Sequence, residues 1–292
     1  MTDFLIQGIT HDSTVYLNGE KLPLSQAKIS VLDRGFIFGD GVYEVVPGYN
    51  RKPFRLKEHL ARLMRSLNKI EIHTGKDEAF WEELVRSLMQ EAPWDDNYVY
   101  IQVTRGVAKR DHAFPNPEVS PTIFAMSSPF KRLTEQERTV GVKALSFEDK
   151  RWLHCDIKSV SLLGNVLAKQ YAVSHGVQDV VQFRDGLLTE GASSNIWVVK
   201  NGTLVAPKRD NRILEGIRYA LLAELAQKVG VPFEERDVRR EEVEQADELL
   251  LTAATREVVA ITSYDNRPVG DGTPGPVFKK LRQAYDEVLA AL

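Results

Sequence analysis

A chain of 292 residues gives room for two modest domains or one large one, at 43% hydrophobic and 27% charged residues an ordinary globular composition. Its formal net charge of −3 leaves no basic field for nucleic acid, and no arginine-rich run appears. A single cysteine, Cys155, excludes an internal disulfide and fits a reducing compartment. No apolar run approaches the roughly 18 residues of a membrane helix. Met1 to Ile6 carries an early acid and no long apolar region, which reads as no signal peptide and a soluble, cytoplasmic protein.

In chain order, Thr14 to Pro23 reads as a hairpin around Asn18-Gly19. Gly35, Gly39 and Gly41 follow within seven positions and imply unusual backbone conformations or close approach. Phe36 and Phe38 read as core, and Tyr43 as core or site, since a buried hydroxyl needs a partner. The spacing of Leu60, Leu63, Met64, Leu67 and Ile70 predicts a helix over 55–70. Beside that stripe lie His59, Arg62 and Ser66, and on spacing alone Arg62 reads as a solvated flank. A second amphipathic helix is predicted over 78–90. Tyr98 to Gly106 and Pro121 to Met126 read as strands. Between them, Arg110 and His112 sit two apart on a polar loop, suited either to hold a carboxylate or to face solvent. Ser127 to Glu137 reads as a linker, giving domains over 1–126 and 138–292.

In the second half, alternation from Leu153 predicts a strand running into Lys158, with Leu153, Cys155 and Ile157 on one face. Leu163, Val166, Leu167 and Gln170 then recur at helical spacing. With 38 Lys and Arg in the chain most must be solvated, so on spacing alone Lys158 reads either as such a lysine or as an amine held near apolar groups, as a Schiff-base lysine needs. Val142 to Leu145 and Val180 to Phe183 read as strands. Glu190, between Leu187-Leu188 and Gly191-Ala192-Ser193-Ser194, fits a hydrogen-bonded pocket or a turn. Asn201-Gly202 turns the chain, and Gly216 opens a helix whose N-terminal N–H groups suit an anion. Glu248 to Val259 reads as a strand entering a small-residue turn at Ala253-Ala254, and Phe278 to Ala291 as a terminal helix. The six His show no metal-ligand spacing, so no metal is expected.

The order of these stretches resembles that of the fold-type IV pyridoxal-phosphate aminotransferases from about Val15 to Leu289, and within them most closely the D-amino-acid transaminases. Carrying it are Asp33-Arg34-Gly35 through Phe38-Gly39-Asp40-Gly41-Val42-Tyr43-Glu44-Val45, Glu58-His59-Leu60-Ala61-Arg62-Leu63, Gln102-Val103-Thr104-Arg105-Gly106, Arg151-Trp152-Leu153, Asp156-Ile157-Lys158-Ser159, Leu162-Leu163-Gly164 and Thr189-Glu190-Gly191. The resemblance implies an α/β (α+β) fold of two domains, a smaller N-terminal α/β domain and a larger C-terminal pseudo-barrel that binds the cofactor. It also implies a homodimer.

By the same resemblance, Lys158 would bond the cofactor and shuttle the substrate proton, and Glu190 would face the pyridine nitrogen. Arg62 would bind the phosphate with the N–H groups of Ile217 and Arg218, at the turn that Gly216 opens. Leu214 would pack on the ring, and Ser193, Ala253 and Ala254 would lie at the cofactor. Tyr43, Arg110 and His112 look like the carboxylate trap of the D-amino-acid transaminases, in which the Arg and His come from the partner subunit. The implied substrates are D-alanine, D-glutamate or D-aspartate with 2-oxo acids. Rivals on the same fold are a branched-chain L-amino-acid aminotransferase, an (R)-amine transaminase and aminodeoxychorismate lyase; a cofactor-binding protein without catalysis is a rival of another class. The chain departs from its relatives in lacking hydroxyls at Arg218, Ala253 and Ala254. Thr252, Thr255, Arg218 or Arg256 is expected to compensate, Arg218 foremost because it adds a cation.

Overall fold

The structure is a computed structural model that describes residue 9 and residues 11–292, so the Met1 to Ile6 stretch read for a signal peptide lies outside the described residues. The chain forms two compact units. One takes the chain up to Lys131 together with Ile157–Ser161, and the other takes Arg132–Asp156 with Leu162–Leu292.

The first unit contains, in order, β1 (Thr14–Leu17), β2 (Glu20–Pro23), α1 (Arg34–Phe38), β3 (Gly41–Tyr49), β4 (Lys52–Pro53), α2 (Leu56–Lys69), α3 (Glu78–Glu91), β5 (Asn97–Thr104) and β6 (Thr122–Pro129). Its six strands form one antiparallel sheet in the order β2-β1-β6-β5-β3-β4. The β1–β2 hairpin turns on Asn18 and Gly19, both at positive φ (51° and 104°), the primed turn that the Asn-Gly pair favours. Alternation along β3 and β5 sends Val42, Val46, Val99, Ile101 and Val103 to one face, where they meet Leu60, Leu63 and Leu67 of α2 and Trp81, Leu84 and Leu88 of α3.

The close approach expected of the glycines is present. Gly39 adopts φ 68° at the end of α1, and a methyl group at Gly41 would sit 2.6 Å from the Val103 carbonyl oxygen and 3.0 Å from Thr104 Cα. Both obstacles are backbone, so Gly41→Ala is expected to destabilise by about 1–3 kcal/mol, measured by urea unfolding. Phe36 corrects the expected core: α1 is short, and its turn leaves that ring 69% exposed.

The second unit contains α4 (Glu135–Thr139), β7 (Val142–Glu148), α5 (Leu163–Ser174), β8 (Asp179–Arg184), β9 (Leu187–Leu188), β10 (Asn195–Lys200), β11 (Thr203–Ala206), α6 (Ile217–Lys228), β12 (Phe233–Glu235), α7 (Arg240–Glu244), β13 (Glu248–Ala253), β14 (Glu257–Tyr264), β15 (Arg267–Pro268) and α8 (Pro276–Ala290). A nine-stranded sheet runs β12-β11-β10-β13-β14-β7-β8-β9, with β15 on β14. It is mixed: β7 lies parallel to β8 and β14, and β11 parallel to β12. Near-continuous buried runs such as Ile196 to Val199 and Leu249 to Leu251 fill its centre.

Two expectations change, and α5 shows a face that its spacing left open. The expected linker over 127–137 is mostly regular structure. Asn97, Tyr98 and Val99 pair with Pro129, Ser128 and Ser127, which draws β6 past Met126, and α4 starts already at Glu135 behind a Thr134–Glu137 capping box. No strand leads into Lys158. Residues 150–158 are irregular, because Cys155 N–H donates to Asn211 O (2.9 Å) and the Asn211 amide donates to Leu153 O (3.1 Å) in place of a ladder. The aliphatic face of α5 is turned outward. Ala168 and Ala172 make the buried contact with Val180 and Ala192, while Leu163 is 72% and Val166 and Leu167 each 58% exposed.

Candidate active site

In the first unit the backbone of Lys158 is clamped from two sides. Its N–H donates to Ser66 Oγ (3.2 Å), and its carbonyl accepts the Tyr43 N–H (2.9 Å). Val160 N–H reaches Gly41 O (3.0 Å), and Ser159 bridges Val42. These bonds draw residues 157–161 out of the expected C-terminal domain and onto β3. Lys158 Nζ lies 4.0 Å from the centroid of the Tyr43 ring, and that ring stacks on Tyr100 at 5.8 Å. Burial, and then the neighbouring Tyr43, push the Tyr100 hydroxyl up to about 12; it donates to Gln102 Oε1 (2.6 Å).

Arg62 is 5% exposed, which overturns the solvated-flank reading. Its Nε and a terminal nitrogen donate to the two oxygens of Glu44 (2.9 and 2.6 Å), and His59 Nδ1 lies 2.9 Å from the same carboxylate. Burial alone would raise the Glu44 carboxyl. The charges of Arg62 and His59 and their hydrogen bonds outweigh it and hold the group well below the usual carboxylate range. Sequence reasoning passed over Glu44, yet a signal was there: an acid at the central position of Val42-x-Glu44-x-Val46 shares an apolar face and needs a partner. His59, Arg62 and Ser66, at spacings of three and four, are the face that meets it.

Arg110 and His112 are exposed, and both gather on one ring. The Arg110 guanidinium carbon lies 5.4 Å from the Phe38 centroid, and the His112 ring is also 5.4 Å from it.

In the second unit Glu190 is buried between two donors. One oxygen accepts from Arg151, and the other accepts the Leu214 N–H at 2.8 Å. Burial is the largest influence and raises this carboxyl, with Arg151 and the Leu214 N–H opposing. Arg151 also donates to Asp149 (2.8 and 2.9 Å), whose Oδ2 accepts the Thr189 hydroxyl (2.9 Å). Burial would raise Asp149, but the hydrogen bonds and charge of Arg151 prevail and lower it. Neither Arg151 nor Asp149 was singled out for this role from sequence, because each meets Glu190 or Thr189 only through folding.

Gly216 caps the N-terminus of α6. A Cβ there would run into Asn195 Oδ1, and the Asn195 amide holds the preceding turn through Leu214 O (2.8 Å). A side chain at Gly216 would displace that amide from the turn; the first N–H groups of α6, those of Ile217 and Arg218, lie at the same turn. The Arg218 side chain is buried and donates to Ala254 O (3.1 Å), joining two of the three positions where hydroxyls are missing. Two of the other candidates for compensation, Thr252 and Arg256, are engaged. Thr252 accepts the Trp197 indole N–H (3.0 Å), and Arg256 faces Asp179 (3.7 Å) and Glu137 (4.0 Å). Ser193 is exposed, whereas its neighbour Ser194 is buried and donates to Asp179 (2.9 Å).

The family model described as "Amino-transferase class IV" matches residues 41–264. Over 275 residues the chain is 38% identical to a D-alanine aminotransferase of Staphylococcus haemolyticus, covering 94% of this chain and 97% of that one. It is 40% identical, with the same coverage, to a D-alanine aminotransferase of Staphylococcus epidermidis. Among solved structures, the branched-chain amino acid aminotransferase of Escherichia coli superposes with a TM-score of 0.90 at 24% identity, over 95% of each chain. That of Thermoproteus uzoniensis, solved with norvaline, gives 0.85 at 24%, over 96% and 95% of the two chains. The chain belongs to the class IV amino-transferase family.

Proposed function

We propose that this protein is a pyridoxal-phosphate-dependent D-amino-acid transaminase, moving the amino group between D-amino acids and 2-oxo acids by a ping-pong route. The observation that carries the reading is the pairing of the Lys158 amine with the Tyr43 ring at 4.0 Å, on a backbone clamped by Ser66 and Tyr43. The D preference is supported by the 38–40% identity to D-alanine aminotransferases and by the gathering of Arg110 and His112 on Phe38.

The residues fit pyridoxal phosphate. A primary amine, a buried carboxylate and a helix N-terminus opened by glycine match its aldehyde, ring nitrogen and phosphate. The cofactor, when bound, supplies the electron sink that makes the substrate α-proton acidic and carries nitrogen between half-reactions. Lys158 Nζ would take the substrate α-proton, hold it and give it up again, a transfer that a flexible amine can make in both directions. Glu190, fixed by Arg151 and the Leu214 N–H, holds the ring nitrogen in its protonated form. In the first unit Arg62, and in the second the N–H groups of Ile217 and Arg218, are the residues that would bind the phosphate, with the buried Arg218 standing in for the hydroxyls absent at Ala253 and Ala254. Leu214 would pack on the ring, and Ser193 would lie at the cofactor. Tyr43 of one subunit, with the loop of Arg110 and His112 supplied by the other, would bind the substrate carboxylate. The exposed Leu163, Val166 and Leu167 of α5 support a homodimer.

Incubation with D-alanine and 2-oxoglutarate tests the reading. Pyruvate and D-glutamate in equal amounts are expected by chiral chromatography; no reaction here, with pyruvate released from aminodeoxychorismate in the absence of any amino acceptor, would mean a lyase, and L-glutamate would refute the D assignment. Glu190→Gln is expected to lower kcat by about 10²–10³-fold, because it removes a preorganised charge; stopped-flow absorbance of the half-reaction measures it. Arg218→Ala is expected to weaken cofactor binding by about tenfold or more, at about 1.4 kcal/mol per factor of ten, read by fluorescence titration with pyridoxal phosphate.

A further inference from the structure

Beneath the Arg110–His112 loop lies a buried cation that the proposed mechanism leaves unused. Arg34, 3% exposed, follows the cap residue of α1, where Asp33 Oδ1 accepts the Gly35 N–H (2.8 Å). One terminal nitrogen of Arg34 donates to Asp111 O (2.5 Å) and Ala113 O (3.2 Å), and the other to His112 O (3.4 Å). Three consecutive carbonyls of an otherwise irregular loop thus converge on one guanidinium. A planar fork with five donors can do this, and an ammonium cannot do it in the same geometry.

The guanidinium is itself fixed. Arg34 Nε donates to Asp40 Oδ2 (2.8 Å), an oxygen that also accepts from Arg105 Nε (2.8 Å). Arg105 further donates to Ile70 O (2.7 Å) and Glu71 O (3.0 Å), and its guanidinium lies 3.6 Å from the centroid of Phe114. The loop is therefore closed at its root and its end by Arg105 and Phe114, and pinned in the middle by Arg34. Arg34 also lies 4.9 Å from the Phe38 ring, on which Arg110 and His112 rest.

We propose that Arg34, held by Asp40, is the positioning residue for substrate carboxylate recognition: it sets the backbone of residues 111–113, and with Phe38 it aims Arg110 and His112. The inference rests on the reading of Arg110 and His112 as the carboxylate trap. Its signature is a KM effect. A loop that wanders loses affinity for the carboxylate of both substrates, while the chemistry at Lys158 and the binding of the cofactor stay as they are.

Steady-state kinetics with D-alanine and 2-oxoglutarate on the holoenzyme test this with Arg34→Lys, Phe38→Leu and, as reference, Arg110→Ala. Arg34→Lys keeps the ion pair with Asp40 and loses the fork; Phe38→Leu leaves every buried charge in place. Each is expected to raise both KM values by about five- to tenfold with kcat within about twofold, and to leave the dissociation constant of pyridoxal phosphate unchanged. A general loss of structure would instead lower kcat and cofactor affinity together, which would overturn the inference. If Arg110→Ala raises KM and neither Arg34→Lys nor Phe38→Leu does, the trap stands and the role of Arg34 is wrong. If Arg110→Ala also leaves KM unchanged, the trap reading itself has failed. Should Arg34→Lys not fold, Phe38→Leu decides by the same criteria.

Discussion

Lys158→Ala is expected to lower kcat by roughly 10⁴-fold or more, the upper range for loss of one positioned acid–base group, because the same amine is also the covalent attachment point. The substitution removes no core contact: its amine lies against Tyr43, while its backbone is held by Ser66 and by the Tyr43 N–H, bonds that any residue can make. The variant should therefore unfold at the same denaturant concentration as the parent. It should take up pyridoxal phosphate reversibly, so that the cofactor leaves on gel filtration under conditions where the parent retains it. Stopped-flow absorbance with D-alanine measures the rate loss. A variant within tenfold of the parent rate would remove Lys158 from the chemistry.

Glu44→Ala is expected to cost about 3–5 kcal/mol in unfolding free energy, because it takes the shared counter-charge from the buried Arg62 and His59. The pH dependence provides a separate check. Glu44 titrates lower in the folded chain than in the unfolded one, so its ionisation stabilises the fold above the unfolded carboxyl value of about 4.3. That contribution fades as the pH drops below this value toward the folded one. Stability should thus fall between about pH 5 and pH 3 in the parent and fall less steeply in Glu44→Gln, which lacks the titrating group. Urea unfolding at a series of pH values reads both effects; parallel slopes in parent and variant would contradict the assignment.

Local physics made much of the fold legible. Asn18-Gly19 and Asn201-Gly202 both turn at positive φ, where a primed turn needs them. The stripes of α2 and α3, and the alternation of Val99, Ile101 and Val103, point where period and burial require. What escaped were choices made by distant partners. The alternating stretch before Lys158 pairs with Asn211 instead of a strand, leaving Trp152 and Leu153 exposed. The polar stripe of α2 is buried because Glu44 waits on β3, and Arg151 reaches Glu190 across 39 positions of sequence. The helical spacing on α5 was real, but spacing states that a face is apolar and not what covers it. Here Ala168 and Ala172 pack inside, while Leu163 and Val166 face outward. The site residues that resemblance supplied have the same character. Composition and period made Arg62 a surface residue; the family pattern and its buried ion pair made it a candidate ligand.

The visible spectrum of the cofactor-loaded protein, mixed without acceptor with D-alanine and separately with L-leucine, bears most directly on D-amino-acid transamination at Lys158. Loss of the visible band with D-alanine alone is the expected result. Loss with L-leucine alone would leave the family and Lys158 in place, move the activity to branched-chain L-amino acids, and return Arg110 and His112 to ordinary loop residues.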